Sequence, residues 1–265
     1  MSATLESHDL SVRVDGTPLL RSTSLAVDAG EWVSIIGPNG AGKSTLLRAL
    51  VGAVDADGDV LVDGESVRSM KRMERARLMS WVPQIPTIPS TIRVFDYVLL
   101  GRTPHRHPLA AERPEDVGVV KNVLRDLDLH HLSDREMDSL SGGERQRAVV
   151  ARALAQSTPI ILLDEPTTAL DLGHQQEVLL LLDRLRRDGR TIVTTMHDLT
   201  LAGQFADRLV LLAEGEVKAE GGAIEVLTEK NIADHYRADV RITHENGAVL
   251  VVPRIRTQES SPDDH

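Results

Sequence analysis

Residues 37–44 read Gly37-Pro38-Asn39-Gly40-Ala41-Gly42-Lys43-Ser44, a glycine, four residues, then Gly-Lys-Ser. They follow directly on an apolar run, residues 32–36, and precede a helical pattern that begins near Thr45. This placement is restrictive. A glycine-rich connection from a buried strand into a helix opens a βαβ unit, so the chain needs a parallel sheet with helices on its faces. The residue types suit a phosphate. Glycines let backbone N–H groups wrap it, and the helix N-terminus adds the positive end of a dipole. Lys43 can reach the outer phosphates, and the Ser44 hydroxyl can ligate magnesium. On these residues alone, a turn that only links strand to helix is the competing explanation.

The rest of the chain supplies such a sheet. Apolar runs at 78–82, 160–163, 191–195 and 208–212, like 32–36, continue without polar alternation, the pattern of strands covered on both faces. Between them, residues 175–187 place Val178, Leu181, Leu182 and Leu185 on one helical face and Asp183, Arg184 and Arg186 on the other, with Gly189 as a stop. Alternating stretches at 9–14, 24–27 and 59–62, the last before Asp63-Gly64, predict antiparallel strands. From 85 to 157 strand signals give way to helical ones, interrupted by a Pro- and His-bearing loop at 103–108. Two more alternating runs, 239–243 and 248–252, precede a polar tail, 259–265, with no core-forming residues and an expectation of disorder.

The expected fold is therefore α/β: a parallel sheet with flanking helices, an antiparallel β subdomain and an inserted helical lobe. At roughly 150 residues per domain, the length fits one domain built as a core plus a lobe. The boundaries are 1–85 and 156–225 for the core, 86–155 for the lobe and 226–258 for a C-terminal extension.

Composition narrows the function. With no cysteine there is no disulfide, no thiol catalysis and no cysteine-ligated metal. A formal charge of −10 opposes broad attraction to a nucleic-acid backbone, and two Trp, two Tyr and two Phe leave little for base stacking, so no nucleic-acid partner is expected. No apolar run approaches the roughly 20 residues of a membrane span. The first ten residues lack a basic start followed by an apolar stretch, so the chain is expected to stay in the cytosol.

Two further segments carry chemistry. Ile160-Ile161-Leu162-Leu163-Asp164-Glu165 is a buried strand ending in two acids. Asp164 is placed to hold magnesium, and Glu165 to polarise water attacking a γ-phosphate. Taken in isolation, both acids could simply end the strand. The segment Leu140-Ser141-Gly142-Gly143-Glu144-Arg145-Gln146-Arg147 reads as a capping box, Ser141 with Glu144 three residues on, that starts a helix. Two glycines behind a serine at a helix N-terminus also expose N–H groups suited to a phosphate. Both readings can hold.

Together these segments resemble the nucleotide-binding subunit of an ATP-binding cassette (ABC) transporter over roughly residues 5–225. Residues 140–147 are similar to the family's signature and lie between the two phosphate motifs in the family's order. The resemblance implies an ABC-type P-loop ATPase core that binds ATP and Mg2+ through Gly37, Pro38, Asn39, Gly40, Ala41, Gly42, Lys43, Ser44 and Thr45. It implies that Ser141, Gly142 and Gly143 meet the ATP of a partner subunit. Gln84 resembles the glutamine that senses magnesium and the attacking water, Ala169-Leu170-Asp171 the loop across the dimer interface, and His197 the histidine that contacts the γ-phosphate. Catalytic roles fall on Glu165, His197 and Gln84, and metal contacts on Ser44, Gln84 and Asp164. There is one departure: Val14, beside Val12 and Arg13, stands where members usually carry an aromatic residue for adenine.

Residues 99–105 and 225–228 resemble ATPases of importers for iron–siderophores, haem or cobalamin. The implied assembly is a head-to-tail homodimer that closes on two ATP molecules. It would sit at the cytoplasmic face of the cell membrane, driving integral permease subunits and, indirectly, an extracytoplasmic substrate-binding protein. The segment from Gln84 to Tyr97 is the expected docking region. His105 and His107 lack further ligands for a metal site. A soluble cassette ATPase acting on DNA or ribosomes is the alternative, but such proteins typically carry coiled-coil insertions or two cassettes per chain. A cassette that binds ATP without hydrolysing it is disfavoured by the presence of Lys43, Asp164, Glu165 and His197.

Overall fold

The computed structural model describes residues 3–89, 91–106 and 113–254. His107 and the polar tail at 259–265 lie outside the described residues. Strands β1 (Leu5–Val14), β2 (Thr17–Val27) and β3 (Trp32–Ile36) lead into helix α1 (Lys43–Leu50). Strands β4 (Asp57–Val62) and β5 (Glu65–Ser66), helix α2 (Arg72–Leu78) and strand β6 (Met79–Val82) follow. Helices α3 (Val94–Leu99), α4 (Pro114–Asp126) and α5 (Gly142–Ala155) come next, then β7 (Ile160–Asp164), α6 (Leu172–Arg187), β8 (Thr191–Thr195) and α7 (Leu199–Phe205). Strands β9 (Arg208–Ala213), β10 (Glu216–Gly221), β11 (Val240–Glu245) and β12 (Ala248–Pro253) complete the series.

The main sheet runs β10-β9-β3-β8-β7-β6, parallel except for β10. Its inner strands β3, β7 and β8 are buried along their whole length. Successive side chains point to opposite faces, so each strand feeds two cores. Trp32, Ile36, Ile161, Leu163, Ile192, Leu209 and Leu211 pack with α4, α5 and α6 on one face. On the other, Val33, Ile35, Ile160, Leu162, Val193, Val210 and Leu212 pack with α1 and with β1, β2 and β4. Each fully buried aliphatic side chain contributes about 1.5–3 kcal/mol. These strands therefore hold the α/β core and the smaller sheet, β2-β1-β4-β5, together.

All of the expected parallel strands are present. The antiparallel strands are longer than their alternation suggested. In β1 the pairing shifts around Ser7 to Val12, and Asp9 adopts φ 50°, so the period-two pattern is broken where the strand bulges. Four hairpins turn on residue pairs with positive φ at both positions: Asp15-Gly16, Asp63-Gly64, Glu214-Gly215 and Asn246-Gly247.

Between β6 and β7 the described residues form helices and turns, with one isolated bridge, Arg93 to Glu136. Gly101 lies against α5 so closely that an added Cβ would sit 2.1 Å from the Arg152 carbonyl oxygen, a separation only glycine permits. Beside it, buried Arg102 donates from Nε to Asp116 Oδ1 at 2.8 Å and from Nη1 to the Ala155 carbonyl at 2.8 Å and Ser157 Oγ at 3.0 Å. Asp116, on α4, is 3% exposed, so this pair ties α4 to the end of α5 away from water. The Tyr97 ring is buried, with the Arg152 guanidinium 4.9 Å from its centroid. Of the segment expected to dock a partner, Tyr97 is therefore internal and Ile85, 86% exposed, is outward.

Removing one member of the Arg102–Asp116 pair strands a buried charge. Asp116→Ala is expected to lower unfolding free energy by about 3–5 kcal/mol, and the double replacement Arg102→Met with Asp116→Leu by less. Urea unfolding of the variants measures both, and a loss below about 1 kcal/mol for Asp116→Ala would show an effectively solvated pair.

Candidate active site

Strand register builds the site. Thr195, the last residue of β8, is level with Ile35 on β3 and with Asp164 on β7, while Val82 on β6 is level with Leu163. The connections leaving the C-terminal ends of four adjacent strands therefore emerge side by side, the usual position for a ligand in an open parallel sheet. The connections after β3, β7, β8 and β6 carry the glycine loop, Glu165, His197 and Gln84 respectively.

Gly37 opens the loop at φ 155°, and an added Cβ would lie 2.0 Å from the Leu212 carbonyl oxygen, so the loop lies directly on β9. Lys43 folds back over it, donating from Nζ to the carbonyls of Gly37 at 2.7 Å and Pro38 at 3.1 Å. Burial pushes its ammonium below the ordinary lysine value, opposed by the charges of Glu165 and Asp164. Phosphate oxygens would complete the hydration that burial removes.

Asp164 is fully buried, and its Oδ1 accepts from the hydroxyls of Ser44 at 3.0 Å and Thr195 at 2.7 Å. Its Oδ2 is buried without a hydrogen-bond partner. An unmatched carboxylate oxygen beside a serine hydroxyl is an oxygen-donor set that fits a hard divalent cation such as magnesium.

Glu165 is 6% exposed and adopts φ 52°, a left-handed conformation unfavourable for a non-glycine residue. Its N–H donates to Thr195 Oγ1 at 2.9 Å, which holds that backbone in place. Gln84 Nε2 at 2.8 Å and Thr168 Oγ1 at 3.2 Å donate to Oε2, and His197 Nε2 lies 2.6 Å from Oε1. Both carboxylate oxygens are thus engaged. The cleft between these groups and residues 39–45 has a volume of about 530 Å³.

The structure thus gathers Asn39 to Thr45, Gln84, Glu165 and His197 around one cleft, with Asp164 buried behind Ser44 and bonded to it. It leaves Ser141, Gly142 and Gly143 outside that cleft. Ser141 caps α5: its Oγ accepts from Glu144 N at 3.3 Å, and Glu144 Oε2 accepts from Ser141 N at 2.8 Å. These bonds hold the Glu144 carboxyl below its ordinary pKa. Asp171 caps α6 and pairs with His174 Nδ1 at 2.9 Å. Val14 is 46% exposed and does not line the cleft; the apolar side chain of that hairpin that does is Leu19. His105 Nε2 lies 2.7 Å from the Gln156 carbonyl, a bond within the fold.

Thr195 and Thr168 complete the cluster, and the sequence reading passed over both. The signal for Thr195 is its place at the end of an apolar strand buried on both faces, where a hydroxyl must find a partner. Which partner it finds depends on the strand order.

Compared with known proteins, residues 20–168 match the family described as ABC transporter. The petrobactin import ATP-binding protein FpuD of Bacillus anthracis is 39% identical, covering 96% of this chain and 94% of its own length. An inward-facing metal-chelate type ABC transporter aligns with a TM-score of 0.81 and 30% identity, over 97% of this chain and 99% of the other. A dimeric ATP-binding cassette with ADP and Pi bound, in a post-hydrolysis state, aligns with a TM-score of 0.75 and 28% identity over 83% and 98%.

Thr195→Val keeps the shape but removes the donor to Asp164 and the acceptor for Glu165 N–H. The expected loss is about 1–3 kcal/mol in urea unfolding, with slowed ATP turnover, while Thr195→Ser restores both. An unchanged unfolding midpoint and turnover in Thr195→Val would exclude a role for the hydroxyl in organising the acids.

Proposed function

The chain belongs to the ABC transporter family, and on that premise we propose that it is the ATP-hydrolysing subunit of an importer for an iron–siderophore, haem or cobalamin. The observation that carries the catalytic reading is Glu165, which directly follows Asp164 and is held between Gln84 and His197. The loop N–H groups and Lys43 bind the phosphates, and Glu165 accepts the proton of the attacking water. Gln84 and His197 orient that water and the γ-phosphate. Magnesium held by Ser44 and Asp164, with Gln84 beside them, would supply neutralisation of phosphate charge.

Gln84 and Thr168 both engage Oε2 of Glu165, and His197 lies against Oε1. Oε1 meets only His197, so it keeps acceptor capacity on the cleft side for the attacking water. Gln84 lies on the connection into the helical lobe, so the lobe's position bears directly on this side of Glu165.

Ser141, Gly142 and Gly143 act in trans on the partner's ATP. Their position outside their own cleft supports this, as does the neighbouring Leu172, 77% exposed beside the loop at 169–171. The proposed assembly is a homodimer on integral permease subunits at the cytoplasmic face of the membrane, served indirectly by an extracytoplasmic substrate-binding protein. Among the described residues no helix is long and apolar enough to cross a membrane, so the permease is a separate chain in this reading. Exposed Ile85, next to Gln84, is the proposed apolar contact with it.

Glu165→Gln is expected to retain ATP affinity, to lower turnover by about 10²- to 10⁴-fold, and to accumulate an ATP-bound dimer. Hydrolysis near the wild-type rate would overturn the assignment of the base.

Mixed dimers test the arrangement in trans. Ser141→Arg should abolish hydrolysis while each chain still binds ATP. A Ser141→Arg chain paired with a Lys43→Ala chain regains one intact composite site, whereas a purely structural Ser141 gives only a folding loss of about 1 kcal/mol and no complementation.

A further inference from the structure

Past the end of α4 the sequence runs Leu127-Asp128-Leu129-His130-His131-Leu132, and burial sorts it into two sets. Leu127, Leu129 and Leu132 are core residues, 2%, 0% and 5% exposed, while Asp128, His130 and His131 are exposed. The three leucines anchor the turn and drive the polar side chains out together. The backbone is held by Asp128 N to Arg125 O at 3.1 Å, Leu129 N to Leu124 O at 2.7 Å and Leu132 N to Leu129 O at 3.0 Å, with Asp128 at φ 50°.

On this fixed turn, Asp128 Oδ1 lies 3.7 Å from His130 Nδ1 and 3.7 Å from His131 Nδ1. Neither separation is short enough for a hydrogen bond, so neither imidazole uses the carboxylate in that way. One ligand atom from each residue lies within 4.8 Å of the others, the only such group of three among the described residues. Donors bound to a common ion at about 2.0–2.2 Å sit roughly 3–4 Å apart, so little rearrangement separates this cluster from a ligand set. We propose that Asp128, His130 and His131 form a surface site for a first-row divalent transition ion such as zinc, with water or an incoming ligand in the remaining position.

Two imidazole nitrogens and one carboxylate suit zinc, nickel, cobalt or copper rather than magnesium or calcium, which take oxygen donors. The site is thus chemically distinct from the oxygen set at Ser44 and Asp164. The turn also leads into Ser133 and Arg135, whose carbonyls accept from Phe95 N at 3.0 Å and Val94 N at 2.9 Å, so a bound ion would stiffen the segment that holds the start of α3.

The test is calorimetric titration of zinc into the full-length, nucleotide-free protein with excess magnesium present to fill oxygen sites. The wild type is expected to bind one equivalent in the micromolar range. Affinity should fall by about 10- to 100-fold or more in His130→Ala, His131→Ala and Asp128→Asn, which leave the buried leucines untouched. Amide hydrogen exchange supplies an independent readout: zinc should slow exchange across residues 128–135 in the wild type and not in the His130→Ala, His131→Ala double variant. The proposal fails if the wild type binds no zinc in that range, if the variants keep wild-type affinity, or if protection appears elsewhere and not in this turn.

Discussion

The hydroxyl of Thr195 donates to Asp164 and accepts from the N–H of Glu165, and the rest of the candidate site is arranged around that shared oxygen. It orients a fully buried carboxylate towards Ser44 and fixes a left-handed backbone at the next residue. Without it, the Glu165 N–H would lose its partner, at a desolvation penalty of about 1–3 kcal/mol, and Asp164 Oδ1 would keep only Ser44. Strain at Glu165 persists because β7 and β8, paired along their whole length, leave the chain no alternative path.

The same sheet links this oxygen to distant parts of the molecule. Each central strand sends alternate side chains into two cores, one shared with α1 and the smaller sheet, the other with α6 and the helical lobe. The lobe is held internally by a buried ion pair, Arg102 with Asp116, while Gln84, on the connection into it, reaches Glu165 of the core through one hydrogen bond on the cleft side. The first is costly to break. The second is a single hydrogen bond at the cleft.

The structural role of the serine at the start of α5 is compatible with the functional one proposed for it. Its side chain accepts from Glu144 N and its own N–H donates to the Glu144 carboxylate, a complete capping box that would stabilise the helix with no ligand present. That cap fixes the direction in which the helix N-terminus faces, and in the proposed dimer its glycine N–H groups would meet the partner's phosphate. The metal turn at Asp128 follows the same logic, with buried leucines holding polar neighbours in a common orientation.

Local pattern alone revealed the parallel strands, the glycine loop between β3 and α1, the acid pair ending β7 and the capping box, because each is written in consecutive residues whose spacing has a direct physical meaning. Gln84 and His197 carried no such local signal, and only resemblance to a family singled them out. Thr195 and Thr168 were missed, Leu19 lines the cleft without having been singled out, and Tyr97 is internal. Those facts depend on which strands are neighbours and in what register. Strand order β3-β8-β7-β6 sets residues more than a hundred positions apart within hydrogen-bond reach, as Ser44 is to Asp164. A sequence specifies where each strand begins and which faces are apolar, but the partner of a buried polar group is chosen by long-range packing, and that is decided only when the sheet closes.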